Sequence, residues 1–118
     1  MPDFPTGPYE VVPGEHDLTW SILDGDCEWI GDARGEDREN AADTAALLGA
    51  SPLMYHACRA ALAAMDSNSA RDRLEAREQL RLAIGQAESG PSLLKVLEDR
   101  EKNRLERVEQ IRRRQEAL

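Results

Sequence analysis

Residues 40–62 read N-A-A-D-T-A-A-L-L-G-A-S-P-L-M-Y-H-A-C-R-A-A-L, which are two helical patterns separated at Gly49-Ala50-Ser51-Pro52. Serine followed by proline is typical of a helix start, because serine caps free amide groups and proline fits the first helical position. The pattern therefore predicts helices over residues 36–48 and 52–66. The apolar residues of the second helix recur on one helical face: Leu53, Met54, Ala57, Cys58, Ala61, Leu62 and Met65.

Two further helices are predicted towards the carboxyl end. Asp66-Ser67-Asn68-Ser69 caps a helix over residues 70–87, which stops at Ser89-Gly90-Pro91. Residues 92–118 contain no glycine or proline and predict a helix about 40 Å long at 1.5 Å per residue. With Leu94 at position a of a heptad, the seam of this helix holds Leu94, Leu97, Val108, Ile111 and Leu118, and it predicts an oligomer interface.

The amino-terminal residues predict a small antiparallel sheet over residues 9–30. Three short strands, 9–12, 19–23 and 27–30, alternate apolar and polar residues, and Asp24-Gly25 between the last two is typical of a tight hairpin turn with positive φ at both central positions. Trp20, Ile22 and either Cys27 or Trp29 are expected to share the buried face, with at least one tryptophan partly exposed. Because a meander this small is not stable alone, it must pack on the helices.

The predicted fold is therefore α+β, with residues 1–90 as one domain and residues 91–118 as a helical arm. The chain has 118 residues, of which 41% are hydrophobic and 32% are charged, as in a folded domain. It contains two Trp, two Tyr and one Phe, so the core must consist mainly of alanine and aliphatic side chains. A core of this kind is thin, and a second copy of the chain is expected to complete it.

The stretch 40–62 resembles the core signature of small, uncharacterised tailed-phage and prophage proteins, A-x-L-I-A-A-A-P-x-L-L-x-A-L, and residues 80–87 match the following A-I-x-K-A more weakly. The resemblance implies a phage origin and no particular activity. The chain departs from the signature after Pro52, where Tyr55 and His56 stand in place of apolar and acidic residues.

The net charge of −8 is unevenly distributed, with −9 in residues 1–40, −1 in 41–90 and +2 in 91–118. Because an acidic protein is repelled by nucleic acid, direct DNA or RNA binding is not expected. The acidic segment, residues 1–40, serves either as a solubilising surface or as a contact for a basic partner. The first residues show no secretory signal pattern, and no apolar run approaches a membrane span. The expected location is the cytoplasm of an infected bacterium.

The residues that often carry chemistry lack the spacing that chemistry requires. His16, His56, Cys27 and Cys58 are not arranged in the close pairs of a structural zinc site, and the two cysteines are expected to be buried. Cys58 and His56 point in different directions on one helix, so they do not form a nucleophile and its base. The sequence predicts no metal, no cofactor and no enzymatic activity.

One ligand site is nevertheless suggested by side chains at the edge of the second helix. Tyr55, His56 and Arg59, together with Trp20 or Trp29, would line a pocket in which aromatic faces stack a base and cationic groups bind phosphate. The alternative is an ordinary amphipathic boundary of the helix.

Two functions follow from these patterns. The first is a non-enzymatic, counter-defence phage protein that binds a host protein stoichiometrically. The second is an oligomeric sponge that sequesters a nucleotide signal of host immunity. A structural or assembly role in the phage particle is a third hypothesis.

Overall fold

The computed structural model describes residues 4–117 and confirms an α+β fold, with a small antiparallel sheet followed by helices. The elements are β1 (Glu10–Pro13), β2 (Thr19–Leu23), β3 (Trp29–Arg34), α1 (Arg38–Gly49), α2 (Ser51–Met65), α3 (Ala70–Ala87) and α4 (Gly90–Glu116). All seven predicted elements are present, and those of α2 and α3 lie within one residue of their predicted bounds.

The sheet has the strand order β1-β2-β3, with both pairs antiparallel. Trp20 and Ile22 on β2 are buried, and Trp20 pairs with Ala33 on β3. Ala33, rather than Cys27 or Trp29, therefore completes the buried face. The prediction was wrong because β3 continues to Arg34 through residues interpreted as a turn, and because the register shifts between Ile22 and Leu23.

The hairpin between β2 and β3 is also longer than predicted. The amide of Cys27 donates to the carbonyl of Asp24, the amide of Asp24 donates to the carbonyl of Glu28, and Cys27 adopts a φ of 62°. This is the pattern of a three-residue loop that closes with a left-handed residue. Positive φ thus falls on Cys27 and not on Gly25, since the carboxylate of Asp24 accepts hydrogen bonds from the amides of Asp26 and Glu28 and fixes the loop.

Helix α1 lies at the centre of the molecule and contacts each of the other six elements. Asp37 caps it by accepting a hydrogen bond from the amide of Asn40 at 2.7 Å, which places the helix start two residues later than predicted. Its buried residues are all small: Ala41, Ala42, Ala45, Ala46 and Gly49. Small side chains let the sheet and α4 approach the same helix closely.

Helices α2 and α3 form an antiparallel hairpin whose closest neighbour, beyond each other, is α1. Ser69 caps α3 through the amide of Asp72. The buried residues of these two helices are small: Pro52, Ala57 and Ala64 on α2, and Ala76 and Ala83 on α3. The predicted apolar face of α2 is therefore only partly buried.

Helix α4 begins against the body and then extends away from it. Leu93, Leu94 and Leu97 pack on the core formed by the sheet and α1. Towards its end the helix is exposed, and the long axis of the molecule measures 75 Å against 28 and 25 Å for the others. Leu94 and Leu97 thus pack within their own chain, whereas the sequence predicted them as part of an oligomer interface.

Candidate functional site

Tyr55 and His56 lie beside the amino-terminal segment. The rings of Phe4 and Tyr55 meet edge to face with centroids 4.8 Å apart, and Nε2 of His56 is 3.2 Å from the carbonyl oxygen of Phe4. The adjacent cavity of about 260 Å³ is lined by Phe4, Tyr9, Ser51, Pro52 and Tyr55. In this arrangement the two residues hold Phe4 against α2.

The tryptophans are not part of that cavity. Trp20 is only 1% exposed and belongs to the core, where its indole nitrogen has no hydrogen-bond partner among residues 4–117. Trp29 is 63% exposed and donates from Nε1 to the carboxylate of Asp32 at 2.8 Å. The expectation that at least one tryptophan is exposed is confirmed. Of the five residues predicted for a ligand site, Tyr55 and His56 contact each other, Arg59 is one turn further along α2, and the tryptophans lie elsewhere.

A groove of about 800 Å³ separates the β1–β2 loop from α4. The loop contributes Glu15, His16 and Asp17, and α4 contributes several charged side chains, including Arg100, Glu101, Arg104 and Arg107. This groove was not predicted, because the loop and the helix are far apart in the sequence and only their opposite charges indicate the contact.

Arg38 on α1 links both walls of that groove. Its guanidinium donates to Glu101 on α4 at 2.5 Å and to Asp17 in the β1–β2 loop at 3.3 Å. The bonds to Glu101 and then to Asp17 raise the pKa of Arg38 above its ordinary value, so the guanidinium stays charged. Because these groups are partly exposed to solvent, the contact orients loop and helix more than it stabilises the fold.

Both cysteines are free and exposed, which corrects the expectation that they are buried. Cys27 occupies the hairpin loop, where the chain turns outward, and Cys58 lies on the part of α2 that α3 leaves uncovered. Within residues 4–117, no three histidine, cysteine or carboxylate side chains are grouped in a way that would hold a metal ion.

Two apolar surfaces are left open. One lies on α2, where Met54, Leu62 and Met65 are 36%, 59% and 80% exposed. The other is the distal seam of α4, where Val108 and Ile111 are more than half exposed. Leu118, the last residue predicted for this seam, lies outside the described residues. The sequence did signal the first surface, since the predicted apolar face of α2 is wider than one neighbouring helix covers.

Comparison with known proteins adds no relative: no family model, no curated protein and no solved structure matches the chain. None of the helices in the described part of the chain has the length and apolar character that crossing a membrane requires.

Proposed function

We propose that this protein is a non-enzymatic phage accessory protein that binds a host protein stoichiometrically and thereby counters host defence. The phage origin rests on the resemblance of residues 40–62 to small tailed-phage proteins. The binding role rests on where the chain places its large apolar side chains.

That placement is the observation that carries the proposal. Ten of the twelve buried hydrophobic residues described are alanines, the exceptions being Trp20 and Ile22, whereas sixteen larger hydrophobic side chains are exposed. Single exposed hydrophobic residues are ordinary, but contiguous apolar surfaces mark places where another molecule binds. The exposed residues of α2 and of the distal α4 form such surfaces, so the chain is suited to binding through surfaces.

The nucleotide sponge is less well supported. The cavity beside Tyr55, at about 260 Å³, is smaller than the roughly 300–1,000 Å³ typical of small-molecule sites. The ring of Phe4 also packs against Tyr55, with centroids 4.8 Å apart, and lines the same cavity that a base would have to enter. We therefore favour a protein as the partner.

In this proposal the distal seam of α4 joins two copies of the chain. Val108 and Ile111 are three residues apart on one side of a helix, and both are exposed on the part of α4 that extends from the body. Association with a second α4 would bury them, while neighbouring charged residues such as Glu109 and Arg113 remain paired in solvent.

The test is affinity purification of the full-length, tagged protein from infected cells, followed by reconstitution from purified components. We expect one host protein at a fixed molar ratio, a complex that reforms from the two pure proteins, and loss of that host protein's activity in the complex. Recovery of the chain in purified phage particles at fixed copy number, with no host complex, would overturn the proposal in favour of an assembly role. A rise in melting temperature with a nucleotide and no protein complex would favour the sponge.

A further inference from the structure

The α2–α3 hairpin has one open side with a continuous apolar stripe. Met54, Cys58 and Leu62 follow one another at intervals of four residues, and Met65 comes three residues later. These spacings keep side chains on one helical face, and the stripe extends for about 16 Å at 1.5 Å per residue. All four residues are exposed, and Met65 is exposed to 80%.

Alanines make the floor beside this stripe. Ala61, Ala64 and Ala76 line a shallow depression between α2 and α3, because small side chains let the two helices approach closely. At the free end of the hairpin the depression measures about 190 Å³ and its surface is almost entirely apolar. Met65 from α2 and Leu80 from α3 lie on its two sides.

A row of arginines forms the rim on the α3 side. Arg73, Arg77 and Arg81 are four residues apart, so they lie on one face of α3, and Arg73 and Arg77 line the same depression as Met65. Arg73 donates to the carbonyl of Ser67, and Arg81 is 3.8 Å from Glu78. Arg77 makes no ion pair within residues 4–117.

We propose that this open side of the α2–α3 hairpin docks an amphipathic helix of a partner protein, with acidic residues along the edge of that helix's apolar stripe. The inference rests on the proposed protein-binding function and specifies its surface and the chemistry of the partner. An apolar groove between two helices is the geometry that accepts an amphipathic helix, and flexible methionines adapt to its side chains.

Charge selects this partner over other occupants. A second copy of the chain docked through the same side would place its arginine row either against this row or against the apolar stripe. Like charges in contact disfavour the first arrangement, and burying guanidinium groups against apolar side chains disfavours the second. An acidic helix would place carboxylates opposite Arg73, Arg77 and Arg81 while its leucines contact the stripe. This arrangement combines apolar burial with charge-assisted hydrogen bonds at the rim.

The experiment uses the full-length protein and three synthetic 20-residue peptides. The first is an amphipathic helix with a leucine stripe flanked by glutamates, the second has the same stripe flanked by lysines, and the third has the composition of the first in scrambled order. Binding is measured by fluorescence anisotropy. Occupancy is located by alkylation, because Cys58 lies within the stripe and Cys27 lies in the hairpin loop as an internal control.

We expect the acidic peptide to bind at least tenfold more tightly than the basic and scrambled ones, and to slow alkylation of Cys58 but not of Cys27. Leu62→Ser and Arg77→Glu should each weaken binding at least fivefold. Leu82→Ser and Arg114→Glu are the matched controls and should leave binding unchanged. Leu82 is 61% exposed, close to the 59% of Leu62, but lies about 100° around α3 from Arg81. Arg114→Glu makes the same charge change far along α4.

Three results would overturn the inference: equal binding of acidic and basic peptides or no binding below 1 mM, unchanged alkylation of Cys58, or equal weakening by Leu82→Ser and Leu62→Ser. A fall in molar mass caused by Leu62→Ser would also overturn it, because the occupant would then be a second copy.

If Leu62→Ser and Arg77→Glu variants still capture the host protein from infected cells at full yield, the docking surface is wrong while the proposed function stands. If the peptide binds as expected but no host protein is captured, the proposed function is wrong and the docking surface stands.

Discussion

Gly90, the first residue of α4, lies directly against Asp43 of α1. A methyl group in place of its hydrogen would be 3.0 Å from the Cα atom of Asp43 and nearer still to its carboxylate. This close approach sets where α4 begins, and it brings Leu93, Leu94 and Leu97 onto the core.

Replacing Gly90 with alanine should therefore destabilise the protein by about 1–3 kcal/mol, the usual cost of forcing a side chain into an occupied space. Gly85→Ala is the matched control, because Gly85 lies within α3 with nothing near its missing side chain. That change should stabilise by about 0.5–1 kcal/mol through helix propensity. Urea unfolding of both variants measures the difference, and equal effects would contradict the close contact.

The two tryptophans should respond oppositely to substitution. Trp20→Ala removes the largest fully buried side chain and should cost about 3–5 kcal/mol. Trp29→Ala removes an exposed ring and one surface hydrogen bond, so its cost should stay below about 1 kcal/mol. Thermal unfolding gives both values. Acrylamide should quench the fluorescence of the Trp20→Ala protein strongly and that of the Trp29→Ala protein weakly, and the reverse pattern would show that the indoles had been assigned wrongly.

Cys27→Gly should stabilise the protein. A residue with a side chain at a φ of 62° carries a steric cost that glycine avoids, although glycine gains entropy in the unfolded chain. We expect a net gain of about 0.5–1 kcal/mol in urea unfolding. Cys27→Ala, which keeps the side-chain carbon and loses the thiol, should be nearly neutral. If Cys27→Ala raises the free energy of unfolding as much as Cys27→Gly does, the gain comes from loss of the thiol and not from relief of the backbone conformation.

Substitutions in the two halves of α4 should have different effects on the stability of the protein. Leu94→Ala removes a side chain packed on the core and should cost about 1–3 kcal/mol in stability. The double change Val108→Ser and Ile111→Ser alters exposed residues and should leave the melting temperature of the dilute protein within about 2 °C, since surface changes are worth little.

The same double change should prevent self-association. Light scattering of the wild-type chain at increasing concentration should show a mass that rises towards a dimer, while the Val108→Ser, Ile111→Ser protein stays at the monomer mass. If the wild-type chain remains a monomer at every concentration, the proposal that the distal seam of α4 joins two copies is wrong.

The order and type of the elements could be predicted from the sequence because each depends on local signals. Pro52 in the first turn marks the start of α2, alternating residues mark β2, and Ser69 caps α3. The predicted cap by Ser51 was wrong, because Ser51 is the first residue of α2 and its hydroxyl donates to the carbonyl of Leu48. The third strand was truncated in the prediction because Gly31 and Asp32 are typical of turns. Only the pairing of Ala33 with Trp20, across more than ten residues, shows that the strand continues.

The candidate site was less predictable, because it depends on which elements meet. Phe4 and Tyr55 are far apart in sequence, and nothing local in either predicts their contact. The exposure of Cys58 followed from how much of α2 its neighbour covers, which spacing alone does not give. The four-residue spacing of the arginines on α3 can be read from the sequence. Only the structure shows that Arg73 and Arg77 line the same depression as Met65.

The position of α1 bears on how the protein unfolds. The sheet, the α2–α3 hairpin and α4 each pack on this one helix of twelve residues, and the leucines of α4 also reach the core that α1 shares with the sheet. Loss of α1 would leave three pieces, none with a hydrophobic core of its own, so the amides of α1 are expected to exchange with solvent only through global unfolding. The cooperativity of unfolding is thus concentrated in α1, an alanine-rich helix that every other element contacts.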